Sequence, residues 1–163
     1  MLMRLTARNH LVDRIRRLFG GLPCRVQVAA LPWRRKDDGV EVLLVTSRDT
    51  GRWVLPKGWP EDREDLYMAA AREAAEEAGV DGAVSRLEIG RYFYDKLQRS
   101  GAEWRCEVLV FPLEVARLAE KWPEKKRRRR EWFPAAEAAK RVHEADLAEL
   151  IAQFGVAPGK SVA

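Results

Sequence analysis

Three glutamates crowd one short stretch, REAAEEAGV at residues 72–80. At 3.6 residues per turn, Glu73, Glu76 and Glu77 fall on one face of a helix. Like charges at that spacing repel by about 0.2–0.5 kcal/mol per pair. The alanines between them already favour a helix, so the glutamates are not there to make it fold. Either they form a solvated, salt-bridged face, or a cation sits among them. The wider spacing favours the cation. Gly58 is followed by five residues and then Glu64; seven more residues lead to Arg72, Glu73, Glu76, Glu77 and Gly79. A hard divalent ion such as Mg2+ or Mn2+ takes carboxylate oxygens and leaves positions for water and phosphate. Such an ion neutralises developing charge and acidifies a bound water. Arg72, beside Glu73 and four residues before Glu76, is spaced to orient a carboxylate. The loop PKGW supplies Lys57 to hold a phosphate and Gly58 to let backbone come close.

The full pattern, Gly-x5-Glu-x7-Arg-Glu-U-x-Glu-Glu-x-Gly-U with U apolar, resembles the signature of the Nudix hydrolases over its whole length. Seven fixed residues make a chance match in such a chain roughly a one-in-a-million event. Ala74 stands where a larger aliphatic is usual. The flanking stretches VLLVTSRDTGRWVLPKGWPE and RRRREWF are similar to the branch that holds diphosphoinositol polyphosphate and diadenosine polyphosphate hydrolases. The resemblance runs from about Arg25 to Phe154. It implies a Nudix fold of the α/β class, a mixed sheet sandwiched between helices. It implies metal bound by Glu73, Glu76 and Glu77 with the Gly58 carbonyl, and Glu64 and Arg72 holding that set in place. Glu77 is the first candidate to activate water, with Glu73 and Glu76 open as alternatives because coupled carboxylates resist single assignment. Substrate contacts implied by the branch are Ser47, Arg48, Arg128 and Arg130, with Arg25 and Arg105 added by strand register. The expected reaction is hydrolysis of a phosphoanhydride in a highly phosphorylated small molecule. Dinucleoside polyphosphates come first, then diphosphoinositol polyphosphates and inorganic polyphosphate. A nucleoside diphosphate-sugar or RNA 5′-end pyrophosphohydrolase is a same-fold alternative, and a ligand sensor without turnover is another. Animal members of the branch carry a glycine triplet where this chain has Lys57, Gly58 and Trp59, so their substrate need not be shared.

The elements that must position these groups are legible from periodicity. RVQVAALPW (25–33), VEVLLVTS (40–47) and WVLP (53–56) read as strands, the first two joined through Asp38-Gly39. A helix is expected over residues 64–78, with Tyr67, Ala70, Ala71, Ala74 and Ala78 buried and Gly79 ending it. Asp81-Gly82 reads as a turn. Residues 83–97 and 103–115 read as two long strands around a polar loop near Ser100-Gly101. REWF (130–133) closes the sheet, Pro134 opens a helix, and a second helix follows a break near His143. Residues 1–21 form a helical extension, 22–154 the catalytic domain and 155–163 a loose tail. Leu11, Val12, Ile15, Leu18 and Phe19 would dock the extension.

Composition sets outer limits. With 163 residues, 47% of them hydrophobic, the chain suits one globular domain. Its longest apolar run is too short to span a bilayer, so no membrane partner is expected. Cys24 and Cys106 are too few for a disulfide framework; buried free thiols and a reducing, cytoplasmic setting are expected. The net charge of +5 owes much to KKRRRR at 125–130. That run suits a polyphosphate clamp, a solvated face, or a nucleic-acid patch. Among the tryptophans, Trp59 alone lies in the glutamate loop, where it could stack a base. His10 and His143 have no partner motif and read as surface residues. Nothing in the sequence fixes the oligomeric state.

Overall fold

The apolar run in RVQVAALPW suits a strand covered on both faces, and it becomes the centre of the sheet. The computed structural model describes Ile15, Leu18 and residues 24–37, 39–97 and 101–158. In it the run forms β1 (Arg25–Lys36), parallel to β7 (Glu103–Leu118) along one edge. The other edge of β1 pairs antiparallel with β2 (Gly39–Thr46) and with the short β4 (Lys57–Gly58). β2 carries β3 (Trp53–Val54) and β8 (Arg130–Pro134). β7 carries β6 (Gly90–Leu97) on its first half and β5 (Val80–Val84) on its second. The result is a mixed eight-stranded sheet.

Successive residues of β1 point to opposite faces. Val28 and Ala30 pack with Leu43, Val45, Phe111 and Leu113 against α1 (Leu66–Ala78). Ala29, Leu31 and Trp33 face the other way, toward α2 (Ala135–Arg141) and α3 (Ala145–Val156). Helices therefore cover both faces, as the expected α/β sandwich requires. Helix α1 presents Ala69, Ala70, Ala74 and Ala78 to the sheet, all fully buried. Methyl side chains let the helix axis lie close to the strands. Gly79 ends α1 at φ 62°, with its N–H on the Ala75 carbonyl at 3.0 Å.

Several boundaries differ from the sequence reading. α1 begins at Leu66, leaving Glu64 in the preceding loop. Asp81-Gly82 is no turn but an irregularity inside β5, where the register against β7 shifts. A Cβ on Gly82 would stand 2.0 Å from the Glu114 carbonyl oxygen, so glycine serves close strand approach here. Residues 83–97 are not one strand: the chain leaves β5 after Val84 and starts β6 at Gly90. Lys57 and Gly58 belong to β4, not to a loop. α3 runs to Val156, past the expected start of the tail, and residues 159–163 lie outside the described residues. Of the N-terminal extension only Ile15 and Leu18 are described; both are helical and exposed, while Leu11, Val12 and Phe19 lie outside. Cys106 is buried with a free thiol, and Cys24 is only half-buried.

Candidate functional site

β4 enters the site directly beneath α1. A Cβ on Gly58 would fall 2.2 Å from the Glu73 carboxyl carbon. The absent side chain is thus what allows Glu73 to rest on the strand. Arg72 grips Glu64 through two bonds of 3.0 Å, Nε to Oε1 and Nη2 to Oε2. Its Nη1 donates to Glu73 Oε1 at 2.8 Å and lies 3.7 Å from Glu76 Oε1. Its Nη2 also donates to the Trp59 carbonyl at 3.0 Å. One guanidinium therefore ties the loop, the helix and the residue after β4 together, the planar fork matching carboxylate geometry. Its pKa rises, chiefly through the Glu64 hydrogen bond.

Glu77 lies one turn further along, accepting the Lys57 backbone N–H at 3.1 Å. Arg128 closes on its other oxygen in a short ion pair. The Arg128 side chain is only 7% exposed. It also pairs with Glu124 and donates to the Thr46 carbonyl at 3.0 Å. Glu124 in turn receives Arg48 at 3.2 Å. The chain of charges runs Arg48, Glu124, Arg128, Glu77. Burial pushes the Glu77 carboxyl up to about 7 against the opposing pull of Arg128, and burial also raises Glu73. Desolvation lowers Lys57, while Glu77 and Glu144 act to keep it charged.

These groups open onto one cleft of about 1620 Å³, larger than the roughly 300–1,000 Å³ of ordinary small-ligand pockets. Glu73, Glu77, Lys57, Gly58, Ser47, Arg48, Arg105 and Arg128 all line it. Five expected residues do not: Glu64 and Arg72, which brace the carboxylates from behind, and Glu76, Arg130 and Arg25. The Glu76 side chain, 49% exposed, sits on the outer flank of the glutamate face. Arg130 points under the helix: it donates to the carbonyls of Ala78 at 2.6 Å and Ala119 at 2.8 Å, stacked on Trp122. Arg25 lies over the Trp104 ring at 3.2 Å. Arg128 and Arg130, expected to act together, thus do different things, because the chain enters β8 at Arg130 and its guanidinium is used up on backbone. Arg105 reaches the cleft beside Asp95 at 3.5 Å. Glu124 was missed; the signal was the one acid immediately before the basic run. His143 is exposed, as expected, and borders the cleft just before α3.

Among the described residues, no three acidic or metal-binding side chains converge into a cage. The donors nonetheless fit a hard cation. They are carboxylate oxygens, and Gly58 leaves a Cβ-sized space that brings Glu73 against the strand.

The site thus sits on a mixed sheet between helices, with a glutamate helix over a strand that ends on Gly58. A profile of the NUDIX domain matches residues 24–154, and the chain belongs to that family. It is 36% identical over 136 residues to Nudix hydrolase 12, mitochondrial, of Arabidopsis thaliana, covering 77% of this chain and 66% of that one. It is 34% identical over 116 residues to mouse diphosphoinositol polyphosphate phosphohydrolase 3-alpha, covering 70% and 66%. The chain thus spans just under two thirds of the length of these curated relatives. The fold is similar to that of the C. elegans Ap4A hydrolase, with TM-score 0.58 and 20% identity over 80% of this chain and 96% of that one. It is likewise similar to the NUDIX domain of Shewanella oneidensis NrtR complexed with ADP ribose, with TM-score 0.60 and 19% identity over 83% and 88%.

Proposed function

We propose that this protein hydrolyses a phosphoanhydride bond in a highly phosphorylated small molecule with Mg2+ or Mn2+. One observation carries this reading: buried carboxylates on α1 and the cations Lys57 and Arg128 meet in a single large cleft. Glu73, Glu77 and Glu76, with the Gly58 carbonyl, would hold the ion. When bound, the ion draws phosphate oxygens in and offsets the charge that builds on them.

The chain's own residues do the rest. Glu64 and Arg72 fix the carboxylates in position. Lys57, Arg48 and Ser47 orient the anionic substrate, and Arg128 joins them as its charge is shared between Glu77 and the phosphates. The oxygen of a water forms a new bond to phosphorus. The bridging P–O–P bond breaks, and the leaving phosphate takes the electron pair. The proton passes to a carboxylate of the α1 set, with Glu77 the first candidate. Dinucleoside polyphosphates are the first candidate substrates, ahead of diphosphoinositol polyphosphates and inorganic polyphosphate. The likeness to the mouse diphosphoinositol polyphosphate phosphohydrolase and the nematode Ap4A hydrolase supports that range. The protein is proposed to work in a reducing compartment such as the cytoplasm.

The test is a turnover panel with Mg2+ or Mn2+ and Glu77→Gln as the blank. It includes diadenosine penta- and hexaphosphate, a diphosphoinositol polyphosphate, inorganic polyphosphate, ADP-ribose, a nucleoside triphosphate and 5′-triphosphate RNA. Turnover favouring long polyphosphates supports the proposal. Turnover on ADP-ribose or RNA alone keeps the chemistry and removes the substrate class. Binding without turnover makes the protein a sensor.

A further inference from the structure

Glu124 is an acid where an anionic substrate has least use for one. It lines the cleft from the loop between β7 and β8, its side chain 20% exposed. A negative charge there opposes the entry of a polyanion, so its presence needs a reason. Main-chain bonds fix its place. The Glu124 N–H donates to the Glu76 carbonyl at 3.2 Å, which ties the loop to the last turn of α1. The Glu124 carbonyl accepts the N–H groups of Arg127 at 2.8 Å and Arg128 at 3.1 Å, so the chain makes a tight turn between them. Arg129 then locks that turn to β2. Its N–H donates to Thr46 Oγ1 at 2.9 Å, and its carbonyl accepts the Thr46 N–H at 2.9 Å.

The turn delivers Arg128 between two carboxylates. Its Nε donates to Glu124 and its Nη2 to Glu77, both in short ion pairs, while Nη1 holds the Thr46 carbonyl at 3.0 Å. Each nitrogen of the guanidinium therefore has its own partner. The other Glu124 oxygen takes Arg48 Nη1 at 3.2 Å. Glu77 already accepts the Lys57 N–H on Oε2, and Arg128 holds Oε1. A guanidinium on Glu77 and a divalent ion on Glu77 repel each other. With Glu77 as its sole carboxylate, Arg128 would either exclude the ion or be driven out of the cleft by it. A second carboxylate, on a different nitrogen, removes that conflict.

We propose that Glu124 is a positioning residue that shares Arg128 with Glu77. When Glu77 is given over to a divalent ion, Glu124 keeps the guanidinium in the cleft, with Nη2 freed for the phosphates. This rests on the metal-dependent hydrolase reading above.

The experiment titrates wild type, Glu124→Gln, Arg128→Gln and the double variant with Mn2+ by calorimetry, all as full-length proteins. Rates with diadenosine pentaphosphate at saturating Mn2+ are measured in parallel. Glu124→Gln leaves Arg128 to Glu77 alone, so Mn2+ affinity should fall roughly tenfold. Arg128→Gln removes the competing cation and should raise it. In that background Glu124→Gln should change far less, because Glu124 acts through the guanidinium. Kinetically, Glu124→Gln should raise KM while kcat stays near wild type. Side-chain 15N spectra give a second readout that needs no change at Arg128. On adding Mg2+, the Arg128 Nε–H should stay protected from solvent exchange in wild type and lose protection in Glu124→Gln. Equal losses of Mn2+ affinity in both backgrounds would make Glu124 a ligand of the ion and overturn the proposal. Unchanged affinity in Glu124→Gln, or lost protection in wild type, overturns it too; each of these leaves the hydrolase proposal standing. Mn2+ binding without turnover overturns the hydrolase proposal, and the affinities and spectra still decide Glu124. No Mn2+ binding by wild type overturns both.

Discussion

The two faces of β1 are packed by different rules. Toward α2 and α3 the core is made of large side chains, with Leu31, Leu147, Leu150 and Ile151 fully buried and Trp33 edge-on to Phe154 at 5.4 Å. Toward α1 the helix offers alanines to the sheet, with Tyr67 half-buried near its start. A methyl group buries little area, so this face gains less from the hydrophobic effect. It is held at its ends by polar bonds instead: Arg72 ties the entry, and Arg130 binds the carbonyls at the exit. One face supplies stability by bulk, and the other supplies position by close approach and directed bonds. The chemistry sits on the second.

That division can be broken from either side. The largest effect is expected from Glu77→Gln, which removes both a proposed ion ligand and the proton acceptor. Turnover should fall roughly 10²–10⁴-fold, with a melting temperature within a few degrees of wild type. A near-normal rate would remove Glu77 from the mechanism. Leu150→Ala on the opposite face should do the reverse, costing about 2–5 kcal/mol in denaturant unfolding while folded protein keeps its kcat. Arg130→Met should cost less, about 1.5–3 kcal/mol, the scale of hydrogen bonds to a charged group. Because Arg130 lies outside the cleft, KM for polyphosphates should not move; a large rise in KM would restore it to the substrate clamp.

The smallest effect concerns pH. Glu77 titrates near 7 in the metal-free folded protein against an ordinary 4.5, so the folded state holds its proton more tightly than the unfolded chain. Its contribution to stability is fully present below about pH 4.5 and is lost as pH rises to about 7. Chemical denaturation at pH 5 and pH 7 without divalent ions should show that decline, and Glu77→Gln should flatten it. An identical decline in the variant would assign it to other groups.

The glutamate helix was readable because its residues lie close in sequence and a helix fixes their geometry. Arg72, Glu73 and Glu77 land together for that reason, and Arg72 draws Glu64 in from the preceding loop. The central strand was readable because a run buried on both faces admits few alternatives. β5 misled because Asp81-Gly82 looks the same in a turn and in a strand irregularity; only the approach of Glu114 from 32 residues away distinguishes them. The basic run misled for a similar reason. Nothing local says that Arg128 meets Glu77 while Arg130 meets the end of α1, since both partners come from far upstream. Glu124 joins the site through Arg48, far upstream, as well as through its near neighbour Arg128.

Gly58 carries a consequence for how this site can be switched off. Replacing it with alanine alters no charge and removes no hydrogen-bonding group. The added methyl would nevertheless occupy the place of the Glu73 carboxylate. A Gly58→Ala protein would keep the electrostatic draw of the cleft for polyanions while losing the spacing that its chemistry needs. It would be a decoy: a molecule that sequesters what its parent consumes.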